Sequence, residues 1–160
     1  MNKFEKVSES QFNKDCVSFG LNLNIENVKL PVRATKLSAG YDIYAVVDFV
    51  LEAGQGITLP TGLKVQLDSD KFLAIFPRSG LGFKYKFALD NTVGIIDADY
   101  YNNLKNEGHI LVKMTNEGTK TLTVKTGEAI CQGIIMQRFL TVDDNSTGER
   151  VGGFGSTTKQ

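Results

Sequence analysis

The sequence predicts an all-β fold, a jelly-roll β-barrel, and three observations carry that expectation. Gly and Pro punctuate the first half at short intervals, at Gly20, Pro31, Gly40, Gly54, Gly56, Pro60, Gly62, Pro77, Gly80 and Gly82. Short segments rich in β-branched and aromatic residues lie between them, as strands require. No stretch of ten or more residues between these turns carries a strong 3.6-residue period. Many short strands with little helix belong to barrels and sandwiches.

In chain order, "SESQFNKDCVSF" is the one helix candidate, with Ser8 and Gln11 spaced as a capping box. "YDIYAVVDFVL", "GITLP", "LKVQL" and "KFLAIFP" then read as strands. In "LKVQL", Leu63, Val65 and Leu67 alternate with Lys64 and Gln66, which places one face inward. "TVGII", "HILVKMTN", "LTVKT" and "AICQGIIMQRFL" continue the strands. From about Asp143 the composition turns polar and then Gly-rich, the pattern of a mobile arm. The expected organisation is an N-terminal extension (1–27) of no assigned role, a barrel (28–142) and the arm (143–160).

Composition excludes several function classes. Lys plus Arg and Asp plus Glu each number 18, so no net field draws the chain to nucleic acid or an anionic membrane. The two cysteines, Cys16 and Cys131, make neither a disulfide framework nor a zinc site and read as reduced thiols. A single histidine, His109, argues against a His-based triad or multi-His metal site. The polar start "MNKFEKVSES" lacks a signal-peptide core, and no apolar run reaches the roughly 18 residues of a membrane span. A cytoplasmic protein is expected.

Five short constellations carry chemistry. "SAGYDIYA" places Asp42 among aromatic residues at a strand start, which by itself reads as a turn aspartate. "FPRSGLG" ends a strand and then offers the Arg78 fork, the Ser79 hydroxyl and the Gly80 backbone as an anion cradle. "NTVGIIDADYYNNL" sets Asp97 and Asp99 around Ala98; in extended backbone both carboxylates share a face and repel unless a cation or a proton separates them. "GEAICQGII" carries Gln132 in an apolar strand. "RVGGFGSTTKQ" combines Arg150, bare glycine amides, Phe154, Ser156 and Thr157.

Their order is more telling than any one of them. "AGYDIYA", "PRSGLG", "NTVGIIDADY", "GEAICQ" and "RVGGFGST" resemble, in sequence and order, the five motifs of the homotrimeric dUTP pyrophosphatases (dUTPases). The resemblance spans roughly residues 28–158. It implies a C3 trimer with active sites at subunit interfaces, Mg²⁺ as cofactor, and hydrolysis of dUTP to dUMP and pyrophosphate. That activity limits uracil incorporation into DNA and supplies dUMP for dTMP synthesis.

The resemblance also implies roles for single residues. Asp97 would activate the water that attacks the α-phosphorus. Asp42 would hold the Mg²⁺ hydration shell. Arg78, Ser79, Gly80 and Gln132 would hold phosphates. Asn91 and the backbone of Gly94, Ile95 and Ile96 would read uracil, and Tyr100 would pack under deoxyribose. Phe154 would stack on the base, while Arg150, Gly155, Ser156 and Thr157 close over the phosphates.

The chain departs from the family pattern in places. "YNNLKNE" stands between Tyr100 and Gly108, an insertion of six residues relative to the family's Asp-x-Asp-Tyr-x-Gly, read as a surface loop. Cys131 replaces a usual alanine and Thr158 a usual glycine. Two rival readings stay open: a dCTP deaminase or bifunctional deaminase–dUTPase, and a dUTPase-like nucleotide-gated regulatory protein. The Asp99–Tyr100 pair and the "GGFGST" arm speak against the first. Retention of Asp97, Arg78 and the arm speaks against a degenerate copy.

Overall fold

The computed structural model describes residues 1–148, 150 and 152. Twelve strands are present among them: β1 (Lys3–Lys6), β2 (Val32–Arg33), β3 (Tyr41–Tyr44), β4 (Phe49–Leu51), β5 (Gly56–Pro60), β6 (Leu63–Gln66), β7 (Lys71–Pro77), β8 (Phe87–Leu89), β9 (Gly94–Asp97), β10 (Leu111–Asn116), β11 (Leu122–Val124) and β12 (Ala129–Gln137). Two helices accompany them, α1 (Glu9–Ser18) and α2 (Ser79–Tyr85). The all-β class expected from the sequence is the class observed.

All strand pairs are antiparallel. The largest sheet has the order β2-β3-β12-β7-β9, and β5-β10-β8, β4-β11 and β1-β6 complete the set. The long strand β12 is the hub: it pairs with β3 along one edge and with β7 along the other. Neighbouring strands are distant in sequence, so the chain crosses repeatedly between sheets.

The core is continuous across these sheets. Phe12, Ile43, Leu59, Leu63, Leu73, Phe87, Ile110, Met114 and Ile130 are all fully buried. Alternation decides the inward face, as in β6, where Leu63 and Val65 are buried and Gln66 is exposed. In β10 the same rule turns Asn116 inward. Its amide donates to the Leu51 and Lys120 carbonyls at 2.9 Å each, so the buried polar group is satisfied.

Some elements differ from the sequence reading. "YDIYAVVDFVL" is two strands in different sheets, because the chain turns between Tyr44 and Phe49. Asp48 in that turn accepts from the Thr126 amide and hydroxyl and pairs with Lys125, fastening it to the turn before β12. The strands β1, β2 and β8 and the helix α2 were not expected: they are two to seven residues long, too short for a period to register. Helix α1 forms where expected, and Ser8 Oγ accepts from the Gln11 amide at 3.1 Å. The reciprocal bond of a capping box comes from elsewhere: the Ser8 amide donates to Glu107 at 2.9 Å.

Residues 1–27 share the common core rather than standing apart from it. Val7, Phe12, Cys16 and Ile25 are buried in it, and β1 pairs with β6. Cys16 and Cys131 are free and buried, and burial pushes the Cys131 thiol up to about 12.

Candidate active site in two half-sites

The first half-site lies where β3, β12 and the end of β7 meet. Register places Asp42 directly opposite Gln132. Arg78 follows β7, and its Nε lies 3.1 Å from Asp42 Oδ1. Gln132 Nε2 donates to the Pro77 carbonyl at 3.1 Å, which ties the glutamine to the turn carrying Arg78. Gly40 makes room for this arrangement: a Cβ there would stand 2.2 Å from Gln132 Oε1. Ser79 and Gly80 open α2, so their amides lie in the turn that lacks intrahelical acceptors. Three separated sequence motifs therefore converge on one polar corner.

The second half-site is built on the tight turn between β8 and β9, which joins two sheets. Asn91, Gly94 and Ile96 line a cavity of about 410 Å³, walled by Thr58, Ile75, Leu111 and Val112. The chain turns tightly there, with Thr92 at φ +66° and the Thr92 amide donating to the Leu89 carbonyl at 3.0 Å. A β-branched residue in the left-handed region is strained, and such strain concentrates at functional turns. Gly94 lets β9 lie close to β7; a Cβ there would stand 3.3 Å from Ile75 Cβ. The Ile95 side chain points away from the cavity and is exposed, so only its backbone is available to this site.

Asp97 ends β9, and Ala98–Tyr100 form a 3-10 turn. The backbone is not extended through Asp99, as the sequence reading assumed. The two carboxylates nonetheless converge, because a cation stands between them. Arg150 Nη2 lies 2.5 Å from Asp97 Oδ2 and its Nε lies 2.7 Å from Asp99 Oδ1. The guanidinium also covers the Tyr100 ring, 5.6 Å from its centroid. Arg150 thus sits with the carboxylates and not with Arg78 and Ser79. Phe154, Gly155, Ser156, Thr157 and Thr158 lie outside the described residues.

Sequence reasoning missed two groups beside Asp97. Lys71 and Arg138 line a second cavity of about 460 Å³ together with Asp97 and Asp99. Register explains Lys71, since Phe72 opposes Asp97. No local signal marked either residue. Within the 101–107 insertion Leu104 is exposed, as a surface loop requires, while Asn103 is buried.

Asp97 and Arg78 lie toward opposite ends of β7, whereas Gly94 opposes Ile75 nearer the Arg78 end. Asp97 opposes Phe72, whereas Arg78 follows Pro77. Six residues of extended chain separate those positions by about 20 Å. Within one chain Asp97 and Arg78 therefore do not meet.

The family model for dUTPase matches residues 26–158, and the chain belongs to the dUTPase family. The deoxyuridine 5'-triphosphate nucleotidohydrolase of Lactococcus lactis is 40% identical over 133 residues, covering 81% of this chain and 88% of that protein. The crystal structure of the dUTPase of Streptococcus mutans superposes with a TM-score of 0.69 at 35% identity, covering 88% of this chain and 98% of that one. A mutant of the dUTPase of phage phi11 of S. aureus, described as coordinating a structural Mg(II) ion, shares the fold at 18% identity with a TM-score of 0.66, covering 92% and 97%.

Proposed function

We propose that this chain hydrolyses dUTP to dUMP and pyrophosphate as a Mg²⁺-assisted homotrimer. The observation that carries the reading is that Asp97 lies about 20 Å from Arg78 along β7, so the carboxylate and the phosphate fork of one chain do not meet. One half-site offers groups suited to phosphates, the other a cavity and two carboxylates suited to a nucleoside and a water. A second copy of the chain brings the phosphate corner of one protomer to the β8–β9 turn of another, and a threefold arrangement repeats this contact in a closed ring.

In that assembled site, Asn91 and the backbone of Gly94–Ile96 pair with the uracil edge. Tyr100 supports the deoxyribose. Asp97 takes a proton from a water whose oxygen attacks the α-phosphorus, and the bond to the α–β bridging oxygen breaks to release pyrophosphate. Arg78, Ser79 and Gln132 hold the phosphate oxygens in line. Arg150 leaves Asp97 and Asp99 for the phosphates as Phe154–Thr157 close over the site and exclude water.

The residues fit a hydrated Mg²⁺. Asp42 is a half-buried carboxylate at the phosphate corner, and no cluster of three or more His, Cys, Asp or Glu suited to a metal occurs among the described residues. One carboxylate suits a cation that keeps several waters. When bound, Mg²⁺ would neutralise charge on the phosphates and the departing pyrophosphate. In a cell this activity limits dUTP for polymerases and yields dUMP as a thymidylate precursor. A cytoplasmic setting is in keeping with the helices described, none of which is long and apolar enough to cross a membrane.

The test is pyrophosphate release from dUTP, dCTP, dTTP and UTP with Mg²⁺, with mass by light scattering. The expected result is turnover of dUTP alone by a trimer. In Asp97→Asn, turnover is lost while dUTP binding persists. Ammonia release from dCTP, or wild-type turnover in Asp97→Asn, would overturn the reading.

A further inference from the structure

Segment 101–109 and the N-terminal residues supply none of the motif residues, yet they close on one of them. The Tyr100 hydroxyl donates to the His109 carbonyl at 3.0 Å and accepts from Asn106 Nδ2 at 2.7 Å. The Tyr100 carbonyl accepts from Asn103 Nδ2 at 2.9 Å. Both polar ends of the tyrosine are therefore held by the loop that follows it. The loop is braced within itself, since Asn103 Nδ2 also donates to Asn106 Oδ1 at 2.8 Å. Gly108 lets it fold back: φ is +79°, and a Cβ there would stand 2.6 Å from the Tyr100 carbonyl oxygen.

The loop is fastened in turn by residues that precede the family match. Ser8 donates to Glu107 through its amide at 2.9 Å and its hydroxyl at 2.5 Å, and Tyr101 donates to Glu5. His109 Nδ1 lies 2.5 Å from Asp15 Oδ2 on α1. The Gly62 amide donates to His109 Nε2 at 2.8 Å, which places the imidazole proton on Nδ1, facing Asp15. Gln11 Nε2 donates to the same Asp15 oxygen at 2.7 Å and orients it. The chain from α1 to the Tyr100 phenol is thus continuous: Asp15, His109, then the phenol through the His109 carbonyl.

We infer that Asn106, backed by the Asp15–His109 latch, is a positioning residue that fixes the Tyr100 ring and so sets the discrimination between deoxyribo- and ribonucleoside triphosphates. The inference rests on Tyr100 being the platform for the sugar. Rejecting a 2′-hydroxyl means rejecting one oxygen, which requires the ring to hold its place to a fraction of an ångström. A phenol held by two hydrogen bonds is fixed against tilting; a phenol held by one pivots about it. The buried ring has the loop on its polar edge and Arg150 on its face.

The experiment measures kcat/KM for dUTP and for UTP, by pyrophosphate release with Mg²⁺, in the full-length chain. The variants are Asn106→Leu, which keeps the shape and removes the donor, Tyr100→Phe, and the two combined. Asp15→Asn tests the far end of the latch. The dUTP-to-UTP ratio is expected to fall roughly tenfold in Asn106→Leu, at least as far in Tyr100→Phe, and no further in the double variant than in Tyr100→Phe, because loss of the hydroxyl already removes the bond from Asn106 along with the bond to His109. Asp15→Asn should lower the ratio by a smaller factor. Size-exclusion elution and thermal melting check each fold, and Tyr100→Phe, which loses a single oxygen, carries the test if Asn106→Leu fails to fold. An unchanged ratio with both substrates slowed equally would make the loop a stability element only and overturn the inference. So would additive losses in the double variant. A wild-type chain inert toward dUTP would instead sink the functional reading, and full discrimination in Tyr100→Ala would sink the role of Tyr100.

Discussion

If each site joins Asp97 of one chain to Arg78 of another, two inactive variants should restore one another. Asp97→Asn removes the base at one end of β7, and Arg78→Ala removes the phosphate fork at the other, about 20 Å away. Each homotrimer is then inactive. Mixed trimers, made by co-refolding equal amounts, contain sites that draw an intact Asp97 from an Arg78→Ala chain and an intact Arg78 from an Asp97→Asn chain. With random assembly each condition is met half the time, so about a quarter of the sites are whole. Pyrophosphate release should recover to about 25% of wild type and rise with the mixing ratio to a maximum at equal parts. A site contained in one chain would recover nothing, because every chain carries one lesion. Recovery below a few per cent, in trimers verified as mixed by two affinity tags, would refute the shared-site reasoning.

Two further outcomes follow from the same geometry. His109 is the only histidine; burial holds it below its ordinary value although Asp15 pulls the other way. The unfolded chain therefore binds this proton first, and stability is full above about pH 6.5 and falls as pH drops below it, by about 1.4 kcal/mol per tenfold difference in proton affinity. Melting between pH 7.5 and 5.5 should show this slope, and His109→Gln should remove it; an equal slope in the variant would contradict the assignment. Gly40→Ala places a Cβ against Gln132 Oε1 and forces the glutamine from the Pro77 carbonyl. It should lower kcat/KM for dUTP by about a hundredfold with the fold retained, and wild-type kinetics would show that Gln132 is not needed there.

The legible parts of this protein were local in character. "GITLP" and "KFLAIFP" form β5 and β7 with the bounds read from their composition, and Leu63 and Val65 alternate into the core as written. The motif residues could be named because they sit in contiguous blocks. Three features resisted. "YDIYAVVDFVL" is uniformly β-prone, and nothing within it marks the turn at Ala45–Asp48, which Thr126 and Lys125 fasten from far along the chain. The cation between Asp97 and Asp99 proved to be Arg150, more than fifty positions away for each carboxylate. Segment 101–109 carries no pattern of its own, and its place follows from contacts to α1.

What the sequence by itself determined is the all-β class, the longer strands with the turns that Gly and Pro mark, and the family. Those properties live in a two-residue period, in turn chemistry and in short ordered motifs, all set within a few residues. Only the tertiary structure decided which of those residues meet. Asp42 faces Gln132 because β3 pairs with β12, and Asp97 stands far from Arg78 because β7 is long enough to part them. Strand pairing across long stretches of sequence is settled by burial of the common core, not by any local preference. That is why the N-terminal residues, unmarked by any motif, come to hold the loop that holds Tyr100.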